Sequence, residues 1–256
     1  MWNVYSFFTT YAILDSYKPR KVDFSKVEKI DRWILCKTNE FIKKSKEYYS
    51  SYQVYKLMKE TTILLDDLSN WYVRRNRRRF WRSENDSDKL IAYDTLYSCL
   101  VTIIKTISPI IPFLTEEIYS NLVSNISNDE PESIHLCDFP KYNPSIVDDE
   151  LIDEIDTVIS IVKLGRSARN KANLKIRQPL QSINLYSNNE KVIASALNNK
   201  NQILEELNIK SMEICKNRDD LVKFNIKPNY ATLAQKAGNN MKDIILKLKE
   251  VDFDQM

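Results

Sequence analysis

Glycine is nearly missing from this sequence of 256 residues: Gly165 and Gly238 are its two occurrences. A phosphate-cradling P-loop or G-x-G-x-x-G turn needs several glycines together, so both are excluded. Scarce glycine also favours helices, which need few special backbone angles. Histidine is scarcer still. His135 stands alone and lacks the partner set of a general base or metal site, so a structural role is expected. The four cysteines, Cys36, Cys99, Cys137 and Cys215, are far apart. Zinc would need closely spaced pairs, so buried, reduced thiols of a cytoplasmic protein are the expectation. No apolar run is read as approaching the ~20 residues that span a bilayer. The N-terminal MWNVYSFFTTYAIL lacks the basic start and small-residue cleavage site of a signal peptide. Its Trp2, Tyr5, Phe8 and Tyr11 are spaced as in a core helix.

Charge is plentiful but nearly balanced. The 38 basic and 35 acidic residues leave a net +3, so distribution matters more than sum. Six arginines fall within nine positions of LLDDLSNWYVRRNRRRFWR: Arg74, Arg75, Arg77, Arg78, Arg79 and Arg82. Just upstream, Leu57, Thr61, Leu64, Leu65, Leu68 and Tyr72 mark one apolar helical face. At about 100° per residue, Arg75, Arg78, Arg79 and Arg82 fall on one side, within about a turn of each other. Clustered guanidiniums repel one another unless an anion lies beside them, and phosphate matches their forked geometry. The plainer alternative is a solvated basic face partly neutralised by Asp66 and Asp67. Trp71, Tyr72, Phe80 and Trp81 interleave the arginines. Tyr72 reads as core and Trp81 as an exposed surface on which a base could stack. A second basic cluster comprises Arg166, Arg169, Lys171, Lys175 and Arg177. Its plainer reading is a set of helix-end cations complementing the macrodipole.

Periodicity predicts helices over 1–14, 29–50, 52–82 and 89–106, which make an antiparallel bundle. Ile30, Trp33, Ile34, Lys37, Phe41 and Tyr48 mark the inner face of the second. Asp86 or Ser87 is a candidate N-cap for the fourth. Pro109 and Pro112 break the run. A short helix to about Ser124 starts with Pro112 in its first turn, or with Thr115 as cap. IHLCDFP, 134–140, reads as extended. Composition shifts after Pro144, where a long helix covers 147–172. SINLYS (182–187), MEIC (212–215) and VKFNIKP (222–228) alternate like strands. Two short helical pieces fill 188–207. A helix ending near Gly238 and another over 240–251 close the chain. The expected fold is mainly α: an antiparallel helical bundle over 1–144, then a small α+β domain over 145–256 with about three strands.

Several stretches together resemble one family. DLSNWYVRRNRRRFW followed by ISPIIPFLTEEIY is similar to the helical anticodon-binding domain of class I aminoacyl-tRNA synthetases for Ile, Val, Leu and Met. Within that group SIHLCDFP and GRSARNKANLKIRQPL resemble the isoleucyl enzymes. The resemblance covers essentially the whole chain. The SPIIPFLTEEIY element is shared across the family, whereas NWYVRRNRRRFW with KIRQPL is more selective. The family's H-I-G-H and K-M-S-K-S signatures are absent, so no catalytic residue is assigned.

The resemblance implies a C-terminal piece of isoleucine–tRNA ligase without its catalytic and editing domains, inactive alone. Its implied partners are tRNA(Ile) and those missing domains, and its implied state is a monomer away from any membrane. No cofactor or metal is implied for the piece itself; ATP and Mg belong to the full enzyme. The residues expected to touch tRNA are Arg74, Arg75, Arg78, Arg79, Arg82, Trp81, Arg166, Arg169, Lys175 and Arg177. Two alternatives stay open. One is the equivalent region of a valyl-tRNA synthetase. The other is a helical module for acidic protein partners or anionic membranes, which a basic helix with Trp also suits.

Overall fold

A computed structural model describes residues 1–81, 87–127 and 129–217. The chain divides into two compact units, Met1–Asp156 and one beginning at Thr157. The expected strand at 222–228 and the helices after it lie outside the described residues, as does Arg82.

The first unit is a helical bundle. Helix α1 covers Trp2–Leu14, α2 Lys29–Ser50, α3 Val54–Asp66, α4 Arg74–Trp81, α5 Ser87–Ile107 and α6 Pro112–Tyr119. Helix α5 packs against α1, α2, α4 and α6, and α2 also lies along α3. The core is aromatic where α1, α4 and α5 meet. Phe80 stands edge-on to Phe7 and to Tyr93, with ring centres 5.2 and 5.0 Å apart. Tyr17 stacks on Tyr93 at 4.8 Å. Such pairs add to the area they bury. Helix α1 buries Val4, Tyr5, Phe8 and Ala12, while Trp2 is 54% exposed. It is therefore a one-sided surface helix.

The third predicted helix is continuous but not uniform. Between α3 and α4 the chain passes through a π-helical segment, Asp67–Val73. Such segments often occur at functional sites. Lys37 holds its start: Nζ lies 2.5 Å from Asp67 and 3.0 Å from Asp156. Trp33 Nε1 donates to the same Asp156 carboxylate at 3.3 Å.

Pro112 occupies the first turn of α6, where its missing N–H costs nothing. Thr115 is buried inside that helix and donates its hydroxyl to the Ile111 carbonyl, so it is not the cap. The segment expected to be extended instead forms a 3-10 turn, Ile134–Leu136. Ser133 Oγ accepts the His135 N–H, and the Glu116 carboxylate accepts Ser133 Oγ–H and Ile134 N–H. These local acceptors offer the backbone a turn in place of a strand partner. His135 is exposed, with Nε2 3.9 Å from Glu116.

One further expectation is corrected. Among the described residues, α5 is long and apolar enough to cross a membrane, with mean hydropathy 1.4. Its charges are too widely spaced to break the run, yet 61% of that window is buried, and Leu96, Leu100, Ile103 and Ile104 are fully enclosed.

Cys36 and Cys99 are buried, whereas Cys137 and Cys215 are half-buried. Burial pushes the Cys99 thiol up from an ordinary 9.0 to about 12, opposed by the Thr38 hydroxyl. Thiolate is the reactive form. At pH 8 an aromatic disulfide reagent is expected to modify Cys137 and Cys215 first, with Cys99 silent until the chain unfolds. Because the folded state holds the neutral thiol, Cys99 costs stability as pH climbs from 9.0 towards about 12. Rapid modification of all four thiols in the native protein at pH 8 would contradict this burial.

Helix α7, Asp149–Lys171, runs through the junction at Asp156 and Thr157. The boundary falls later than the composition shift at 144 because the start of α7 is tied into the bundle. Leu151 and Ile155 are buried there, and Glu154 pairs with Lys29 at 2.8 Å. In the second unit, β1 (Leu180–Leu185) and β2 (Ile209–Ile214) pair in parallel, with Leu180 opposite Ile209 and Leu185 opposite Ile214. Parallel neighbours need a crossover, which α8 (Glu190–Asn198) and α9 (Lys200–Leu207) supply. Asn208 ends α9 in the left-handed region, φ 50°. Gly165 lets α7 approach α9: a Cβ there would come within 2.5 Å of a Leu207 methyl.

Candidate nucleic-acid interface

Helix α4 begins one residue after Val73, and its phase follows from the buried residues before it. Tyr72, Asn76, Arg79 and Phe80 are all buried, at i, i+4, i+7 and i+8. They continue the inner face into the arginine run. The opposite face carries Arg74, Arg77, Arg78 and Trp81, also at i, i+3, i+4 and i+7.

Arg79 is therefore a correction to the expected phosphate track. It is 6% exposed and forks onto Asp31: Nη1 donates to Oδ1 at 2.9 Å and Nη2 to Oδ2 at 3.0 Å. Nη2 is also 2.7 Å from the Asp88 carboxylate. Burial works against this charged guanidinium, but the Asp31 and Asp88 carboxylates together raise its pKa above the ordinary arginine value. Asp31 is 0% exposed and also accepts the Tyr72 hydroxyl at 2.6 Å and the Glu28 N–H at 3.2 Å. Burial and the neighbouring Asp31 charge push the Tyr72 phenol well above its usual value. This buried, charged cluster is structural, with both Arg79 terminal nitrogens bonded and its Nε left without a hydrogen-bond partner. It locks the rotation of α4 relative to α2, which fixes the outward face.

Arg77 and Arg78 are exposed, and among the described residues no carboxylate pairs with either. Trp81 beside them is 55% exposed. Arg74 and Arg75 are half-buried. Arg74 Nε donates to the Asn70 carbonyl at 2.9 Å, and the Arg75 guanidinium lies 5.5 Å from the centre of the buried Trp71 ring. Arg77 was absent from the residues expected to make contact, although Tyr72 fixes the inner face and so places it outside. Asp31 was missed as well. It shares helical phase with Ile34, Leu35 and Thr38, all buried.

The second cluster lies in the other unit. Arg169 is 4% exposed and its Nη2 donates to the carbonyls of Lys175, Ile176 and Gln178. It folds the 172–179 loop back onto α7, and this corrects its expected contact with an outside anion. Asn208 adds bonds to the Ile176 and Arg177 carbonyls at 3.1 and 3.0 Å. Arg166 is half-buried against Glu206. Lys171 at the end of α7 is exposed, as are Lys175 and Arg177 on the loop braced from beneath. Among the described residues, no group of His, Cys, Asp and Glu side chains could hold a metal ion.

A helical bundle with an outward face of arginines and a tryptophan has the form of an RNA-binding module. The chain belongs to the anticodon-binding domain family of tRNA ligases, whose sequence model matches residues 31–184. It is 44% identical over 253 residues to the isoleucine–tRNA ligase of Clostridium novyi, covering 98% of this chain and 24% of that protein. The isoleucine–tRNA ligase of Clostridium acetobutylicum is 42% identical over 255 residues, again 98% of this chain and 24% of the relative. That of Dehalococcoides mccartyi strain CBDB1 is 42% identical over 213 residues, 83% of this chain and 21% of the relative. The chain thus spans about a quarter of the length of these curated relatives.

Proposed function

We propose that this chain is the part of an isoleucine–tRNA ligase that grips the anticodon arm of tRNA(Ile). The observation that carries the reading is the α4 face. Arg77 and Arg78 are exposed and, among the described residues, have no acidic partner; Arg74 flanks them, and Trp81 ends the row. Guanidiniums at this spacing follow phosphates along one edge of a stem, because the deep groove of A-form RNA is closed to side chains. Arg75 and Arg166 are secondary contacts in this reading, each already engaged within the fold. Lys175 and Arg177, held out on their braced loop, make a second set of phosphate contacts. The similarity to isoleucine–tRNA ligases supports Ile over Val as the amino acid of the parent enzyme. Attachment of isoleucine, with its ATP and Mg, is assigned to regions that carry the family's two missing signatures.

The test sets tRNA against anionic lipid, since a basic helix with an exposed Trp also suits a charged membrane. Fluorescent tRNA(Ile) and vesicles of phosphatidylserine and phosphatidylcholine are titrated separately with the full chain encoded by the gene, at low salt. Saturable tRNA binding without vesicle binding is expected. Vesicle binding with no tRNA binding would sink the reading.

A further inference from the structure

Between α7 and β1 the chain crosses residues 172–179 almost without burying a side chain. Leu174 is half-buried and the others are exposed. A stretch with so few buried contacts ordinarily has little to hold it in one shape. Here the backbone is held instead. The carbonyls of Lys175, Ile176, Arg177 and Gln178 all accept hydrogen bonds. Arg169 Nη2 reaches those of Lys175, Ile176 and Gln178, and the Gln178 N–H donates to the Lys175 carbonyl at 3.0 Å. Asn208 Nδ2 spans the Ile176 and Arg177 carbonyls, and among the described residues it is the one donor to Arg177. Asn208 also accepts the Leu180 N–H on its own carbonyl at 3.1 Å, where β1 begins. With its carbonyls engaged by α7 and by the turn after α9, the loop shows solvent its side chains, Lys175 and Arg177 among them.

Two features of this brace run against stability alone. Arg169 is 4% exposed, yet among the described residues no carboxylate meets it, and its Nε and Nη1 have no hydrogen-bond partner. Burying a guanidinium without a counter-charge is costly. Asn208 holds φ 50° at the end of α9, where glycine is the commonest residue. Glycine would fit that backbone without strain but has no amide to offer the loop. Costs of this kind gather at functional sites.

We infer that Asn208, together with Arg169, is a positioning residue for a phosphate-binding loop: it touches no RNA and holds Lys175 and Arg177 in their working shape before RNA arrives. The inference rests on the tRNA-binding reading and adds to it how the second set of phosphate contacts is made ready. A loose loop must be ordered when it binds, and a loop already ordered avoids that loss. A role as the cap of α9 alone would ask for the left-handed backbone and not for the amide.

The test compares the full chain with Asn208→Gly, with Lys175→Ala plus Arg177→Ala, and with all three changes together. Each is read by melting, by trypsin cleavage and by labelled tRNA(Ile) at several salt concentrations. Asn208→Gly keeps the turn and removes the amide. Melting should barely move, because relief at φ 50° offsets the two bonds lost. Cleavage after Lys175 and Arg177 should become several-fold faster, since it needs the loop to open. Binding of tRNA should weaken about fivefold, the cost of ordering one or two side chains, with the salt slope unchanged. Lys175→Ala plus Arg177→Ala should flatten that slope by roughly 1.5. Adding Asn208→Gly to that pair should cost no further affinity, because the amide acts through the two cations. The inference is overturned if Asn208→Gly binds tRNA as the wild type does, or if it loses as much affinity in the background without the two cations. Unchanged affinity and slope in Lys175→Ala plus Arg177→Ala, beside a loss in Arg77→Ala plus Arg78→Ala, would remove this inference while leaving the main reading in place.

Discussion

Replacing Asp31 by alanine is expected to destabilise the chain by about 3–5 kcal/mol, the cost of stranding a buried charge. The melting temperature should fall by roughly 10 °C. Four donors converge on this one carboxylate: both Arg79 terminal nitrogens, the Tyr72 hydroxyl and the Glu28 N–H. Its removal leaves a guanidinium, 6% exposed, with Asp88 as its remaining acidic partner. It also leaves the Tyr72 hydroxyl with a weak second acceptor, the Ala92 carbonyl at 3.5 Å. Losing one partner of a buried pair costs more than losing both. Asp31→Leu with Arg79→Met should therefore melt well above Asp31→Ala, and the double-mutant cycle should give a coupling of more than about 1 kcal/mol. A shift of a degree or two for Asp31→Ala, with no coupling, would mean that the cluster does not hold α4 in place. Thermal melts of Asp31→Ala, of the double variant and of its two single variants, Asp31→Leu and Arg79→Met, decide it.

The second large effect is on RNA. Arg77→Ala with Arg78→Ala is expected to weaken tRNA binding at least tenfold at low salt. Each phosphate contact contributes electrostatic affinity that no neighbour replaces. The loss should be similar for cognate and non-cognate tRNA, because phosphates carry no sequence. Melting should barely move, since exposed charges contribute little to folding. Arg79→Lys gives the opposite pattern. It breaks the fork onto Asp31, so stability falls while the affinity of the surviving folded protein holds. Equilibrium binding of labelled tRNA, read beside a melt of the same preparation, separates the two classes of arginine.

Much of this was legible in the sequence because the helices are long and their periodicity is strong. Helix α2 was expected over 29–50 and runs Lys29–Ser50. The burial of Tyr72 and the exposure of Trp81 were also readable. The phase of the arginines was readable too but misread. Counting from Tyr72 puts Asn76 and Arg79 inward, whereas counting among the arginines alone groups Arg79 with Arg75 and Arg78. The apolar pattern outranks the charge pattern when the two disagree, because a buried arginine is tolerable only where a carboxylate meets it. That carboxylate, Asp31, lies more than forty residues earlier, and no local rule pairs the two. The 3-10 turn at Ile134–Leu136 was hidden for a similar reason: its acceptors come from Glu116 on α6 and from Ser133. Nor does period reading distinguish a π-helical segment from an α-helix over so few residues as Asp67–Val73.

The central claim is that Arg77 and Arg78 lie along RNA phosphates while Arg79 does not. The slope of log K against log salt for tRNA binding tests it most directly, measured on the wild type, on Arg77→Ala with Arg78→Ala, and on an Arg79 variant that still folds. Each phosphate contact contributes ~0.7 for single strands and ~0.9 for duplex. The account predicts that the double variant flattens the slope by roughly 1.5 and that the Arg79 variant leaves it at the wild-type value. A wild-type slope in the double variant, or a flattened one in the Arg79 variant, would contradict it.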